Sequence, residues 1–359
     1  MLRAILGSPL NLLLAAAPVS WILHFTAPES PWQFIAAAIS LVPLAGLIGL
    51  GTEQLAHRSG PAWGGLLNAT FGNAAELIIA LVALRDGHVG LVKASITGSI
   101  IGNLLLVLGL SFLVGGIGRK IQKFHRTAAT NMATMLFLAV VALVMPAVFD
   151  LSVFGNLQAR PPAIDRLSLW SAVVLILAYG GSLVYAFTAH RDLFRTHEGE
   201  RHDALLPAGV AVAVLATGTL LTTVQAEMLV GTLQPALSQF GFTELFVGVV
   251  VVAIIGNAAE HYSAVVAGHR DQMTLAVEIA VGSSAQIALL VAPALVIYSF
   301  ATGRPMSLLF DPLEIVAIAL SVIATSMVVA DGESNWVEGL QLMAVYLILA
   351  LAFYFVPHS

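Results

Sequence analysis

The sequence of 359 residues lacks cysteine and is poor in charge. The absence of cysteine excludes a disulfide-stabilised scaffold. Charged residues make up 10% of the chain and hydrophobic residues 58%, whereas soluble domains usually carry about 25% charged residues. A chain of this composition cannot build a wetted surface, so it is predicted to be a polytopic helical membrane protein in contact with the lipid bilayer. The formal net charge of −5 is small and scattered, which argues against a nucleic-acid partner.

Long apolar runs dominate the sequence. A membrane-spanning helix needs about 20 mostly apolar residues, and this criterion predicts eleven spans and an all-α fold class. The first span is expected to be a retained helix and not a cleaved signal, because Pro18 follows Ala15-Ala16-Ala17 and the apolar run continues to Leu23. The eleven spans cover residues 10–26, 32–51, 62–84, 90–115, 128–149, 167–189, 205–230, 243–267, 273–300, 312–330 and 336–356.

Lysine and arginine are unevenly distributed between the two predicted sides of the membrane. With eleven spans, ten of the 15 lie on the side of the N-terminus, largely through the cluster Arg119-Lys120-Ile121-Gln122-Lys123. Positively charged loops tend to stay in the cytoplasm. The N-terminus is therefore predicted to be cytoplasmic and the C-terminus outside, and the expected location is a prokaryotic cell (inner) membrane.

One segment recurs letter for letter in the two halves of the chain. Gly72-Asn73-Ala74-Ala75-Glu76 returns as Gly256-Asn257-Ala258-Ala259-Glu260, and at the same offset along the chain Gly98-Ser99 meets Gly282-Ser283. Spans 2–6 thus match spans 7–11, and an odd number of helices per repeat inverts the second copy, as in many secondary transporters. The predicted domains are an N-terminal helix (1–31), a first five-helix repeat (32–189), a cytoplasmic linker (190–204) and a second five-helix repeat (205–359).

The predicted linker is the longest polar connection of the chain, from His190 to Asp203. Its mixed charges are typical of a solvated loop. A regulatory or metal-sensing role for His197 and His202 is the alternative.

Glu76 and Glu260 lie inside apolar spans, and no Lys or Arg lies at matching depth in any span. A carboxylate in that position costs several kcal/mol unless it is paired, protonated or bound to a cation. A purely structural alternative is that each Glu is protonated and hydrogen-bonded to a neighbouring helix. The duplication of the motif favours cation binding instead.

The residues before each Glu offer further oxygen ligands. Asn73 and Asn257 lie three residues earlier, on the same helical face. Gly72 and Gly256 lie four residues earlier, where glycine allows the helix to unwind and expose carbonyl oxygens. Such an all-oxygen set suits hard cations, and Ca²⁺ tolerates its irregular geometry better than Mg²⁺ does. A soft-metal or zinc site is disfavoured.

Several other polar residues accompany the two motifs. Those on the fourth and ninth spans are interpreted as supporting groups, although small residues there also serve close helix packing. Glu53 and Glu227, near helix ends, are either gates or proton acceptors, or simple interfacial carboxylates. Acidic residues at the ends of later helices, such as Glu314, are expected to be solvated. The supporting set is Ser99, Asn103, Glu278, Ser283 and Gln286, with Glu53 and Glu227.

Two longer stretches carry a family resemblance. Gly-Asn-Ala-Ala-Glu followed by Gly-Ser-Ile-Ile-Gly-Asn at 98–103, and its second copy followed by Gly-Ser-Ser-Ala-Gln-Ile-Ala-Leu at 282–289, resemble the paired signature repeats of the calcium/proton exchangers of the calcium/cation antiporter superfamily. The resemblance implies that Glu76 and Glu260 are shared Ca²⁺ and H⁺ ligands. It does not extend to the acidic stretch that family members often carry after the sixth span, because the corresponding loop here is short and mixed in charge.

The predicted function is exchange of cytosolic Ca²⁺ for H⁺ by alternating access, with Ca²⁺ as transported substrate, no cofactor and no enzymatic activity. Assembly into a homo-oligomer is left open. A sodium-coupled exchanger of the same superfamily is the nearest alternative. An intramembrane hydrolase is a more distant one, since it would need a cationic phosphate clamp and no Arg accompanies either Glu motif within the membrane.

Overall fold

The computed structural model describes residues 9–155, 162–189 and 206–357 and is mostly helical. The predicted linker at 190–204 therefore falls outside the described residues. A 3₁₀ segment covers Pro9–Ala15, three π-helical segments cover Gly102–Val107, Val247–Val252 and Ile287–Val291, and two strands, β1 (Gln122–Lys123) and β2 (Glu333–Ser334), pair antiparallel. The α-helices are α1 (Ala16–Thr26), α2 (Pro31–Phe71), α3 (Ala74–Arg85), α4 (Val89–Ile101), α5 (Leu108–Gly116), α6 (Arg126–Phe154), α7 (Pro162–Ala189), α8 (Ala208–Gly231), α9 (Leu233–Phe240), α10 (Glu244–Phe246), α11 (Ala253–Gly256), α12 (Ala258–His269), α13 (Met273–Gln286), α14 (Ala292–Ala301), α15 (Pro312–Val328) and α16 (Trp336–Tyr354).

Within these ranges, eight helical stretches are long and apolar enough to cross a membrane. Some of them join α-helices to a 3₁₀ or π-helical segment, as Val89–Gly116 and Met273–Ala301 do. The number rises to nine if Leu233–Phe240 and Glu244–Gly256, which meet at 110°, form one broken span. The prediction of many apolar helices is thus confirmed, and the count of eleven is not.

The connection expected at residues 52–61 remains helical in its hydrogen bonding, but the chain reverses direction there. A methyl group at Gly64 would overlap the carbonyl oxygen of Ala56, eight residues earlier, whereas eight residues of a straight helix span about 12 Å. The polar side chains there are compatible with a helix. Thr52 Oγ1 and Ser59 Oγ donate to the carbonyls of Ile48 and Leu55, four residues earlier, at 2.9 Å each. Helical hydrogen bonding therefore extends into the polar segment, and the chain turns back between Ala56 and Gly64.

The chain forms two compact units that each draw on both halves of the sequence. The first comprises Met1–His88, Gly181–Glu244 and Ile254–Ala259, and the second comprises Val89–Gly180, Leu245–Ala253 and Glu260–Ser359. Each unit thus combines segments of both predicted repeats, whose boundaries stay a prediction.

In the first unit, α2 packs along α8, and α3 packs against both helices. Small residues allow the close approach of α2 and α8: a methyl group at Gly51 would lie 2.9 Å from Cβ of Leu215. The start of α8 is held by α2, because Arg58 donates to the Leu206 carbonyl at 2.6 Å and Gln54 accepts from the Leu206 amide at 3.1 Å.

In the second unit, α4 packs against the π-helical segment Val247–Val252, and α6 packs against α13 and α15. A methyl group at Gly98 would overlap the carbonyl oxygen of Val249, and one at Gly248 would overlap Cβ of Ala94. These two glycines let the backbones meet closely, which larger side chains would prevent.

Candidate ion-binding site

The first Gly-Asn-Ala-Ala-Glu motif lies at a helix break. Helix α2 ends at Phe71, Gly72 and Asn73 lie between helices, and α3 begins at Ala74. The predicted interruption near Gly72 is therefore present. Glu76 is in the first turn of α3, where the helix dipole favours a negative charge. Asn73 is buried with 1% of its surface exposed.

The second motif repeats this local structure. Helix α11 ends at Gly256, Asn257 lies in the break, and α12 begins at Ala258 with Glu260 in its first turn. Asn257 is as buried as its counterpart, at 1% exposure. Helices α3 and α12 each have 12 residues. Their first residues, and likewise their last residues, are as far apart in the chain as Gly72 and Gly256 are. The identical letters thus form closely similar local structures, which differ in that Gly256 still belongs to the preceding helix and Gly72 does not.

Glu76 packs against the backbone of the second motif. A methyl group at Gly256 would lie 3.1 Å from Cγ of Glu76 and 3.7 Å from its Oε1. Both residues belong to the first unit. Glycine at position 256 therefore leaves room for the side chain of Glu76.

Glu260 is held in the second unit by Ser283 of α13, whose hydroxyl donates a hydrogen bond to the carboxylate. The other carboxylate oxygen, Oε2, is buried and has no hydrogen-bond partner among the residues that the structure describes. Ser283 itself is 7% exposed. A buried carboxylate with one oxygen unpaired is a group that a cation or a proton would satisfy.

Comparison with known proteins identifies the family of the chain. The family model described as sodium/calcium exchanger protein matches residues 29–188 and 210–355. The chain belongs to this family. Among its curated relatives, the Ca(2+)/H(+) antiporter of Synechocystis is 42% identical to this chain, with 96% of each chain covered. The Ca(2+)/H(+) antiporter ChaA of Bacillus subtilis is 41% identical, with 96% of this chain and 97% of that protein covered.

A solved structure of similar sequence has the same fold as this chain. The structure of native YfkE matches it with a TM-score of 0.83 and 40% identity, covering 97% of this chain and 100% of that one. The resemblance to calcium/proton exchangers is thereby confirmed, and the protein is an integral multi-pass membrane protein.

The predicted supporting residues of this family member flank two π-helical segments. Asn103 is the second residue of Gly102–Val107, and Gln286 directly precedes Ile287–Val291. The two segments occupy equivalent positions of the two predicted repeats, apart from one residue at the start. Such single-turn distortions occur frequently at functional sites. Ser99 and Asn103 are buried, at 4% and 1% exposure, whereas Gln286 and Glu278 are half-buried.

The helices that carry these segments meet in the second unit. The hydroxyl of Ser284 donates to the carbonyl of Ile100 at 3.3 Å, and these two residues are separated along the chain by the same offset as the two motifs. Residues at equivalent positions of the two predicted repeats are thus in direct contact on α4 and α13.

Glu53 and Glu227 lie in exposed positions of the first unit. Glu53 Oε1 is 3.6 Å from His57 Nε2, and Glu227 Oε1 accepts from Arg85 Nη1 at 3.0 Å. Hydrogen bonds to Asp86 and then to Glu227 raise the pKa of Arg85 above its ordinary value. The structure therefore places both carboxylates at accessible positions.

Glu314 corrects a sequence-based expectation. It was expected to be solvated, but it is only 3% exposed. Its Oε1 accepts from Thr97 of α4 at 3.0 Å and its Oε2 from the Asp311 amide at 2.9 Å, so it caps α15 and joins it to α4. Asp311 three residues before Glu314 is the sequence pattern of a capping box. This pattern predicts the hydrogen bond from the Asp311 amide to Glu314. The contact with Thr97 depends on the packing of α15.

Proposed function

We propose that the protein exchanges Ca²⁺ for H⁺ across the membrane and that Glu76 and Glu260 bind both ions in turn. The names of relatives that are 41% and 42% identical over nearly the full chain support Ca²⁺ and H⁺ as the exchanged ions. The duplicated motif supports the two carboxylates as their ligands.

The observation that carries this proposal is the contact of Glu76 with Gly256. A residue of the first motif lies against the backbone of the second motif, four residues before Glu260 in the chain. The neutral oxygens nearest in sequence are the amides of Asn73 and Asn257 and the carbonyls at the two helix breaks. Carboxylates together with neutral oxygens form the kind of ligand set that Ca²⁺ prefers.

Charge balance explains why such a site would exchange ions and not leak them. Two carboxylates and one Ca²⁺ sum to zero, and two carboxylates with two protons also sum to zero. The empty dianion would be far more costly in a medium of low dielectric constant. The carrier would therefore change its access only when it is loaded with one ion or the other, which is alternating access with coupled exchange.

The other buried polar groups would hold the carboxylates in position. Ser283 donates to Glu260, and Ser99 is its counterpart in the first repeat. Asn103, Gln286 and Glu278 lie on the same two helices, α4 with its π-helical continuation and α13. We expect their loss to weaken ion binding less than loss of either Glu.

The test is Ca²⁺ uptake into inside-out vesicles under an imposed pH gradient, with and without a Na⁺ gradient. Glu76→Gln and Glu260→Gln should each abolish uptake, because Gln keeps the size and one acceptor oxygen but removes the charge. Glu29→Gln serves as the matched control, because Glu29 is an exposed carboxylate. Near-normal uptake by either site variant would contradict the two-glutamate site, and uptake driven by Na⁺ alone would contradict proton coupling.

A further inference from the structure

Helix α8 carries polar groups that its packing leaves unsatisfied. Thr222 Oγ1 and both polar atoms of the Gln225 amide are buried and have no hydrogen-bond partner among the described residues. Both residues are 0% exposed. Leaving a buried donor or acceptor unpaired is costly, and polar residues retained inside membrane spans often mark ion pathways.

These two residues lie in a buried strip of helix α8. Ala211, Gly218, Thr222, Gln225 and Leu229 are buried, and their spacing of seven, four, three and four residues keeps them on one face. Gly218 shows what this face meets, because a methyl group there would lie 3.2 Å from Cγ1 of Ile48 in α2. The unpaired groups therefore face the interior of the first unit, where α8 packs against α2 and α3.

The position of Thr222 and Gln225 relative to Glu76 follows from the packing of α3 against α8. The two helices pack side by side, and their C-terminal ends meet at the ion pair of Arg85 and Glu227, so they run parallel. Glu76 lies nine residues before Arg85, about 14 Å along the axis of α3. Gly218 lies nine residues before Glu227 on α8, so Glu76 and Gly218 lie at the same level. Thr222 and Gln225 thus occupy the levels between Glu76 and the exposed Arg85–Glu227 pair.

We propose that Thr222 and Gln225 line a hydrated path between the Arg85–Glu227 end of the first unit and Glu76. The inference rests on the function proposed above and adds the route by which the divalent cation reaches Glu76. The Thr222 hydroxyl and the Gln225 carbonyl are neutral oxygens that replace water around a hard cation. Being uncharged, they bind it weakly enough to let it pass.

Apolar variants of similar shape separate this role from a structural one. Thr222→Val and Gln225→Leu remove polar atoms that hydrogen-bond to water in the proposed path, so they should leave the melting temperature of the solubilised protein nearly unchanged. They should nevertheless slow Ca²⁺/H⁺ exchange severalfold, because the path loses its water. Thr223→Val is the matched control, since Thr223 Oγ1 already donates to the Thr219 carbonyl at 2.9 Å; it should leave the exchange rate unchanged.

Thiol labelling tests the path without relying on transport. Because the chain has no cysteine, Thr222→Cys and Gln225→Cys in proteoliposomes should react with a membrane-impermeant cationic thiol reagent. Leu229→Cys, at a residue of the same strip that is also 0% exposed, should not. Cysteines at 222 and 225 that are as unreactive as the one at 229, or apolar variants that exchange at the unaltered rate, would overturn the proposal. Absence of Ca²⁺/H⁺ exchange in the unaltered protein would instead overturn the proposed function, and the labelling result would still report whether the path holds water.

Discussion

Asp271 occupies the position in the second repeat that Gly87 occupies in the first, and both adopt a left-handed backbone conformation. The φ angles are 64° for Asp271 and 90° for Gly87, and Asp271 is the one residue other than glycine with positive φ in the described ranges. Its side chain compensates for the strain, because Oδ1 accepts from Gln122 Nε2 at 2.5 Å and lies 3.9 Å from Arg119 Nε. The second unit thus stabilises by side-chain contacts a turn that the first unit forms with glycine.

Asp271→Ala should destabilise the protein by about 1–2 kcal/mol, because it keeps the strained backbone and loses the hydrogen bond. Asp271→Gly should cost less, since glycine adopts this conformation without strain. Thermal unfolding in detergent measures both. A glycine variant that is less stable than the alanine variant would show that the backbone conformation is not the dominant cost.

Gly98 and Gly282 occupy equivalent positions, yet only Gly98 has no room for a side chain. Gly98→Ala should destabilise the protein by about 1–3 kcal/mol, because the methyl group would overlap the Val249 carbonyl. Gly282→Ala should be tolerated, since the nearest atom, Met132 Sδ, would lie 3.9 Å away. Equal melting temperatures for the two variants would contradict the close contact of α4 with the segment Val247–Val252.

Gly256→Ala should weaken Ca²⁺ binding by displacing Glu76. The added methyl group would lie 3.1 Å from Cγ of Glu76, so the carboxylate must shift by a few tenths of an ångström. We expect a loss of affinity of about tenfold, which corresponds to about 1.4 kcal/mol. Gly49→Ala on α2 has no atom within 4 Å of its methyl group and should retain affinity. Calorimetric Ca²⁺ titration of both solubilised variants compares them, and unchanged affinity in Gly256→Ala would argue against Glu76 as a ligand.

Ca²⁺ affinity should fall as the pH is lowered if Ca²⁺ and protons share the same carboxylate oxygens. The two carboxylates would titrate as a coupled pair, so the dependence should be steeper than that of a single group. Equilibrium binding to the solubilised protein measures this, with circular dichroism confirming that the protein stays folded. An affinity independent of pH would show that the two ions bind at separate sites.

The predicted orientation can be checked with single cysteines at exposed residues. Glu29→Cys, in the connection between the first two spans, should react with an impermeant thiol reagent added outside intact cells. Lys120→Cys should react only after permeabilisation, because it lies in the basic cluster predicted to be cytoplasmic. The reverse pattern would invert the proposed direction of Ca²⁺ movement.

Composition and local backbone preference were enough to predict the class of the protein and the position of its two helix breaks. Scarce charge excludes a soluble surface, and each Gly-Asn pair marks a helix break. Gly72 itself keeps helical dihedral angles (φ −56°, ψ −46°), and the backbone leaves the helix at Asn73 (φ −101°, ψ 29°). Such effects need no distant partner. Local reasoning also predicts the connection at 52–61, where the chain turns back between Ala56 and Gly64, although side chains that bond to their own helix keep its first part helical.

Long-range packing determines which residues are buried together. Glu314 is covered because α15 packs where Thr97 can donate to it, and Thr222 and Gln225 are buried because α8 lies against α2 and α3. The two compact units cut across the repeats for the same reason, since helices from both halves of the chain pack within each unit. Contacts between residues far apart in the chain depend on how whole helices pack, and no local pattern in the sequence encodes them.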